Sequence, residues 1–421
     1  MNPLRQKIEQ EIRECGPIPF SRYMELCLYD PEHGYYSRNA EQFGKAGDFY
    51  TSSDVHAVFG RLMARQFEEM WRALGSPDHI DLVELGPGRG LFAQDVLDWS
   101  ERKFPDFFAA LKYVLVESSA ALRRTISSTM RRHLESGKAE IPAPALLEIA
   151  EESWHTPAAK RRQNTAHGAS RGSGAVADEQ APEGRQKGVA LEALASGSPA
   201  IVFANEFFDA VPVEVISSEG ALRIDARGGR FVETWMPPSP QELEFIDRYS
   251  VHPEPGKRVE VPLIAQQAME RIAASLDHGF VIAIDYGYTR EEQLAGRHRG
   301  TVKAIRRHAV SASPYEAPGE QDITADVNFT ALAAAAEKHH MQAQKLRTQS
   351  QFLMGIGEAN QFADAFEECR LPQERAKVAL QLKHLVTPAG MGESFHVLVA
   401  SKGIDPGKVG SLSGLTFGRS R

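Results

Sequence analysis

From residue 80 onward the chain alternates short continuous apolar runs with stretches of helical period, and no other feature restricts its fold as strongly. The runs IDLVEL (80–85), KYVLVE (112–117), LLEIA (146–150), AIVFAN (200–205) and FVIAID (280–285) read as buried strands. Helical stretches at 91–100 and 120–134 separate the earlier runs. Such alternation predicts a mostly parallel sheet with helices on both faces and right-handed crossovers. The segments TVKAIRRH (301–308), MQAQKLRT (341–348) and SFHVLVAS (394–401) are expected to extend that sheet, the last ones as antiparallel edge strands.

The flanking regions follow other rules. Residues 1–78 read as a helical N-terminal region, in which Val55, Phe59, Leu62, Met63, Phe67, Met70, Trp71 and Leu74 put one apolar stripe on a long helix. Ser52, Ser53 and Asp54 are suited to cap it. The aperiodic, Tyr- and Gly-rich run from Tyr29 to Asp54 is expected to be a functional loop. The core is expected over 79–205 and 279–402, interrupted by a disordered insertion at 158–188 that has no aromatic residue. VEVISS, ALRIDA and RFVETW inside 206–278 alternate like short antiparallel strands, so that interval reads as an inserted subdomain on the substrate side. The tail, 403–421, is expected to fray.

Composition narrows the function. The formal charge, 48 − 56 = −8, lacks the basic excess of a general nucleic-acid binder. Cys15, Cys27 and Cys369 are scattered, so a disulfide framework and a metal site are both excluded as expectations. No apolar stretch approaches the length of a membrane span. The opening segment MNPLRQKIEQEIREC carries Glu9, Glu11 and Glu14 and looks like neither a signal nor a transit peptide, so a cytoplasmic protein is expected.

In VELGPGRG a strand runs into Gly86, Gly88 and Gly90 and then into a helix, the setting of a nucleotide-like ligand pressed against bare backbone. Glu84 stands two residues before the first glycine, placed to receive the ammonium of an amino-acid ligand. Glu117 ends the next strand, placed to accept from ribose hydroxyls. The ribose acid of a dinucleotide site follows its glycines by roughly 20 residues. Here Gly90 and Glu117 are 27 positions apart, and no second glycine turn follows a later strand. These features favour S-adenosylmethionine over NAD.

Beyond the strand AIVFAN, the block NEFFDAVPV brings Asn205, Glu206 and Asp209 to its carboxyl end. In an open α/β sheet, ligands bind outside those ends. Methyl transfer is an in-line displacement in which the protein positions and stabilises charge. Paired carboxylates suit a planar guanidinium and favour loss of its proton after alkylation. Helix capping by Glu206 and surface pairing of Asp209 are the bland alternatives.

ELGPGRG and NEFFDAVPV together resemble the MidA-like family of S-adenosylmethionine-dependent methyltransferases, which includes a mitochondrial protein-arginine methyltransferase of complex I assembly. YMELCLYDPEHGYY (23–36), GDFYTSSDVHAVFG (47–60), IDYGY (284–288), GTVKAIRRH (300–308) and PGEQDITADVNFTAL (318–332) extend the likeness over most of the chain. The resemblance implies a class I methyltransferase fold, Rossmann-like, and a protein arginine as acceptor, symmetrically dimethylated and belonging to a complex I subunit. It also implies cofactor contacts at Gly86, Gly88, Gly90 and Glu117, with Gly47, Asp48 and Thr51 contributing from the N-terminal segment. His33, Tyr35, Asp285, Tyr286 and Asp322 are further candidates for the substrate cleft. The 158–188 insertion and SSDVH, where the family tends to carry Pro-Glu, depart from the pattern. A scaffold protein that has lost the chemistry and a small-molecule methyltransferase are the competing expectations.

Overall fold

The computed structural model describes residues 2–37, 57–142, 197–306 and 309–418. The Ser52–Asp54 caps, the LLEIA strand, the 158–188 insertion and the cofactor candidates Gly47, Asp48 and Thr51 lie outside the described residues.

Strand β1 (Ile18–Pro19) belongs to the N-terminal region. The central sheet is built from β2 (Ile80–Leu85), β3 (Leu111–Val116), β4 (Ala139–Glu140) and β5 (Ala200–Asn205), which run parallel. A small antiparallel sheet follows from β6 (Glu214–Ser217), β7 (Gly220–Arg227), β8 (Arg230–Met236) and β9 (Arg258–Val261). Strand β10 (Gly279–Tyr288) returns to the central sheet beside β5. Strands β11 (Lys303–Arg306), β12 (Ala309–Val310) and β13 (Asp322–Thr324) form a third sheet. Short β14 (Val327–Asn328) pairs with β10, while β15 (Gln342–Ala343) and β16 (Arg347–Thr348) pair with β17 (Phe395–Lys402). Strand β17 lies antiparallel on β10, with Ile282 opposite Val399.

The central order is β15-β17-β10-β5-β2-β3-β4. The chain travels outward from β2 through β3 to β4, then returns to the other side of β2 as β5. The crevice between β2 and β5 is therefore the switch point at which ligands collect in open α/β sheets. Both strands are apolar and buried because helices cover both faces. Leu82, Phe203 and Ile282 face the helices Ala57–Ala73 and Leu91–Lys103, with the Phe203 and Phe92 rings stacked at 4.8 Å. Val83, Val202 and Val281 face Ala268 and Ile272 of the helix Leu263–Ser275 and Leu332 of the helix Phe329–Glu337.

Three differences from expectation have physical causes. Strand β11 joins the third sheet instead of the central one; its first and last residues, Lys303 and Arg306, point to opposite faces and are both exposed, which a doubly covered sheet does not accommodate. The N-terminal region pairs through β1 with β7, Ile18 opposite Ile224, so it shares a core with the small sheet. Much of the tail is ordered. Val409, Leu412 and Leu415 are buried, and Glu69 and Gln66 accept the Ser413 and Gly414 amides at 2.8 and 2.9 Å.

Candidate active site

At the carboxyl end of β2 the backbone bends through Gly86, Gly88 and Gly90 with φ of +64°, +55° and +76°. L-residues reach that region at a cost of about 1–2 kcal/mol each, so glycine is the natural occupant. The three serve different ends. Gly86 is exposed. A Cβ on it would meet Phe207 Cδ2 at 3.1 Å, so the turn lies directly against the segment carrying the acids. Around a Cβ at Gly88 nothing stands within 4 Å. Gly90 is buried, and a Cβ there would meet Met130 at 3.3 Å and Ile126 at 3.4 Å. Its smallness lets the helix Ala120–Thr129 close on the turn, which makes its part structural.

Glu117 stands at the end of β3, 7% exposed, and accepts the Ser119 N–H at 2.8 Å. Burial pushes its carboxyl up to about 7, against backbone donors that include the Gly88 N–H. Glu84 is also buried; its Oε2 accepts the Tyr113 phenol at 2.8 Å. Burial pushes that carboxyl up to about 8, with Glu117 adding to the shift and the Tyr113 hydrogen bond opposing it.

Across the switch crevice, β5 ends in Asn205, whose Nδ2 donates to Glu206 Oε1 at 3.2 Å. Glu206 holds a left-handed φ of +50°, rare outside glycine and costly enough to mark a constrained position. Asn205, Glu206 and Phe207 are half-buried, while Asp209 is buried. The Tyr286 phenol donates to Asp209 Oδ2. The other oxygen, Oδ1, is buried with no hydrogen-bond partner among the described residues. Burial pushes the Asp209 carboxyl up to about 6, with Tyr286 pulling it back.

Several sequence candidates take other parts. Asp285 is fully buried, and its Oδ2 accepts the Phe208 and Asp209 amides at 3.0 and 3.2 Å. Its Oδ1 accepts the Tyr286 amide at 3.0 Å. It shapes the acidic segment and does not line the cleft as a substrate contact. Burial and the charges of Asp209 and Glu206 drive its carboxyl well above the usual range. Tyr35, 2% exposed, packs in the core shared by the N-terminal region and the small sheet, so its place in the cleft is likewise corrected. His33 donates its amide to Asp30 at 2.9 Å and sets its ring beside Glu32. Tyr286 and Asp322 do converge on the acidic segment: Ala325, just beyond β13, donates its amide to the Asp209 carbonyl at 3.0 Å. Sequence reasoning missed Tyr29, whose phenol donates to the Ala210 carbonyl at 2.9 Å. Its signal was the tyrosine-rich aperiodic run that begins there.

These groups fit S-adenosylmethionine. An exposed glycine and open space at Gly88 leave bare backbone with room for a ligand, and Glu117 would offer a carboxylate to its ribose hydroxyls. When bound, the cofactor supplies a sulfonium methyl group that a nitrogen nucleophile can displace.

Comparison with known proteins agrees. Residues 62–347 match the family model described as "Putative S-adenosyl-L-methionine-dependent methyltransferase". A Drosophila melanogaster protein named as a homologue of a mitochondrial protein arginine methyltransferase is 29% identical over 95% of this chain and 85% of its own length. The Homo sapiens mitochondrial protein arginine methyltransferase is 26% identical over 94% and 82%. A Burkholderia thailandensis crystal structure, bound to S-adenosyl-homocysteine, superposes with a TM-score of 0.72 at 24% identity, covering 99% of this chain and 95% of that one; it establishes likeness of fold. The cytoplasmic expectation rested on the make-up of the opening segment and is overturned here, since the relatives matched along nearly the whole chain are named as mitochondrial. Among the described residues no helix is long and apolar enough to cross a membrane. Strand order, glycine turn and sequence match lead to one conclusion: the chain belongs to this family of S-adenosyl-L-methionine-dependent methyltransferases.

Proposed function

We propose that the chain methylates an arginine side chain of a protein, to the symmetric dimethyl form, and that its acceptor is a respiratory complex I subunit. The relatives' names support arginine as the acceptor. Dimethyl symmetry and the complex I partner follow from the family resemblance. The observation that carries the proposal is the close approach of Phe207, the residue after Glu206 and two before Asp209, to the glycine turn at Gly86.

Glu84 receives the cofactor's ammonium in this reading, Glu117 its ribose, and Gly86 and Gly88 its adjoining backbone face. Glu206, steadied by Asn205, holds the guanidinium through hydrogen bonds between opposite charges, which are worth about 1.5–3 kcal/mol each. The acceptor nitrogen approaches the methyl carbon from the side opposite sulfur. Once alkylated, it gives a proton to Asp209, whose raised pKa makes it a better base than an exposed aspartate.

A labelled-methyl assay on lysate from a strain lacking the gene tests the proposal. The expected result is label on a complex I subunit, located by mass spectrometry as symmetric dimethylarginine. Label confined to a small molecule, or to another residue type, refutes it.

A further inference from the structure

We propose that Arg123 is a positioning residue for the nucleoside half of the cofactor: its guanidinium ties the ends of β3 and β4 together and so fixes Glu117 for the ribose. The inference rests on the reading of Glu117 as the ribose acid and assigns the residue that holds it in place.

Arg123 is half-buried on the helix Ala120–Thr129. The pairing of β3 with the two-residue strand β4 ends at Val114 opposite Glu140. Two paired positions fix little of the chain beyond them, and there the guanidinium takes over. Its Nη1 donates to the Glu117 carbonyl at 3.1 Å and to the Pro142 carbonyl at 2.5 Å. Its Nη2 donates to the Ile141 carbonyl at 3.3 Å. Three carbonyls from two strand ends thus converge on one planar fork, a geometry that the compact ammonium of lysine matches less well. The helix is anchored to the same bend. Ser119 caps it by accepting the Leu122 amide at 3.3 Å, while Glu117 Oε1 accepts the Ser119 amide at 2.8 Å. Glu117 is therefore gripped twice, its carbonyl by Arg123 and its carboxylate by the turn that begins Arg123's own helix.

The guanidinium also bears on the charge of the acid. Burial pushes the Glu117 carboxyl up, while the Ser119 and Ser118 amides, the Arg123 charge and the Gly88 amide pull it back, to about 7. Glu84 of β2 and the Tyr29 phenol of the helix Phe20–Tyr29 are within reach of that charge as well. Glu84 repels a second carboxylate, and the Tyr29 phenol, pushed up by its own burial, brings no positive charge. Arg123 is the cation that favours the ionised form of Glu117, which only accepts and so suits two donating ribose hydroxyls.

The test measures binding of 5′-methylthioadenosine to the full chain by calorimetry on both sides of neutral pH. This probe keeps the nucleoside and lacks the ammonium and carboxylate of the whole cofactor, so Glu84, whose own carboxyl is pushed up to about 8, has no group to receive. Wild-type affinity is expected to rise as pH passes about 7, where Glu117 ionises. Arg123→Gln should weaken binding about tenfold at neutral pH, the scale of one lost hydrogen bond to a charged group, and move the rise to higher pH. Arg123→Lys keeps the charge and loses the fork; it should leave the rise in place and recover only part of the affinity. Glu117→Gln should weaken binding at least as much and abolish the rise, and Arg123→Gln should then cost less than it does alone. A loss independent of pH, or losses that simply add in the double variant, makes Arg123 a support of the fold and overturns the inference. Wild-type affinity in Arg123→Gln overturns it too. Where melting temperatures show that variant to be unfolded, Arg123→Lys decides, since wild-type affinity there removes the part given to the fork. Wild-type affinity and pH profile in Glu117→Gln instead refute the ribose reading, and the inference with it.

Discussion

Replacing Glu206 by Gln or Asp209 by Asn is expected to lower methyl transfer by about a hundred- to a thousandfold, the range found when one preorganised polar group is removed from a charge-stabilising site. S-adenosylmethionine affinity, followed by calorimetry, should stay within a few-fold of wild type, because both carboxylates stand across the crevice from Glu117 and the glycine turn. Equal loss of transfer and of cofactor binding would make them structural. A transfer rate near wild type would remove their catalytic part altogether. The pH profile adds a second readout. With its pKa at about 6, Asp209 is ionised at pH 7, and activity should fall as pH drops through that value. Stability moves the other way. A carboxyl raised above its unfolded value contributes stability that is fully present below the ordinary carboxylate range and is lost as pH rises through about 6. Loss of activity near pH 6 without loss of melting temperature therefore identifies titration in the site, and Asp209→Asn should flatten that limb.

The second large effect concerns the bend at the end of β2. Asparagine tolerates the left-handed conformation better than other side chains, so Gly88→Asn should preserve the backbone and the fold. Its side chain would occupy the open space around Gly88, in which no protein atom stands within 4 Å of a Cβ. Overpacking of about 1–3 kcal/mol corresponds to roughly a ten- to hundredfold loss of cofactor affinity. Gly86→Ala acts differently, since its methyl would press on Phe207 at 3.1 Å and shift the segment that carries Glu206. It should reduce transfer more than binding. Calorimetry and single-turnover labelling separate the two, and unchanged cofactor affinity in Gly88→Asn would mean that the ligand does not use this bend.

Much of this site was legible because its signals are local. Buried strands announce themselves as apolar runs, and the Gly86 and Gly88 positions follow directly from a strand that must turn sharply. Asn205, Glu206 and Asp209 could be placed because a strand's carboxyl end is a fixed location in a parallel sheet. What escaped was long-range. The two-residue pairing of Ile18 and Pro19 with β7 joins segments some two hundred positions apart and carries no periodicity of its own. Without it, Tyr29 had no address. Asp285 and Gly90 misled for a related reason. A strand-end carboxylate looks the same in sequence whether it greets a substrate or satisfies three backbone amides. A third glycine looks the same whether it faces a ligand or a neighbouring helix.

Methyl transfer in this protein depends, in this reading, on the juxtaposition of a bare backbone bend with acids one strand away. A crystal structure of the protein with S-adenosylhomocysteine measures it directly. The predicted result is a nucleoside bonded to Glu117, the ligand backbone against Gly86 and Gly88, and sulfur facing the Glu206–Asp209 segment. A nucleoside bound elsewhere, or sulfur turned away from that segment, would contradict it.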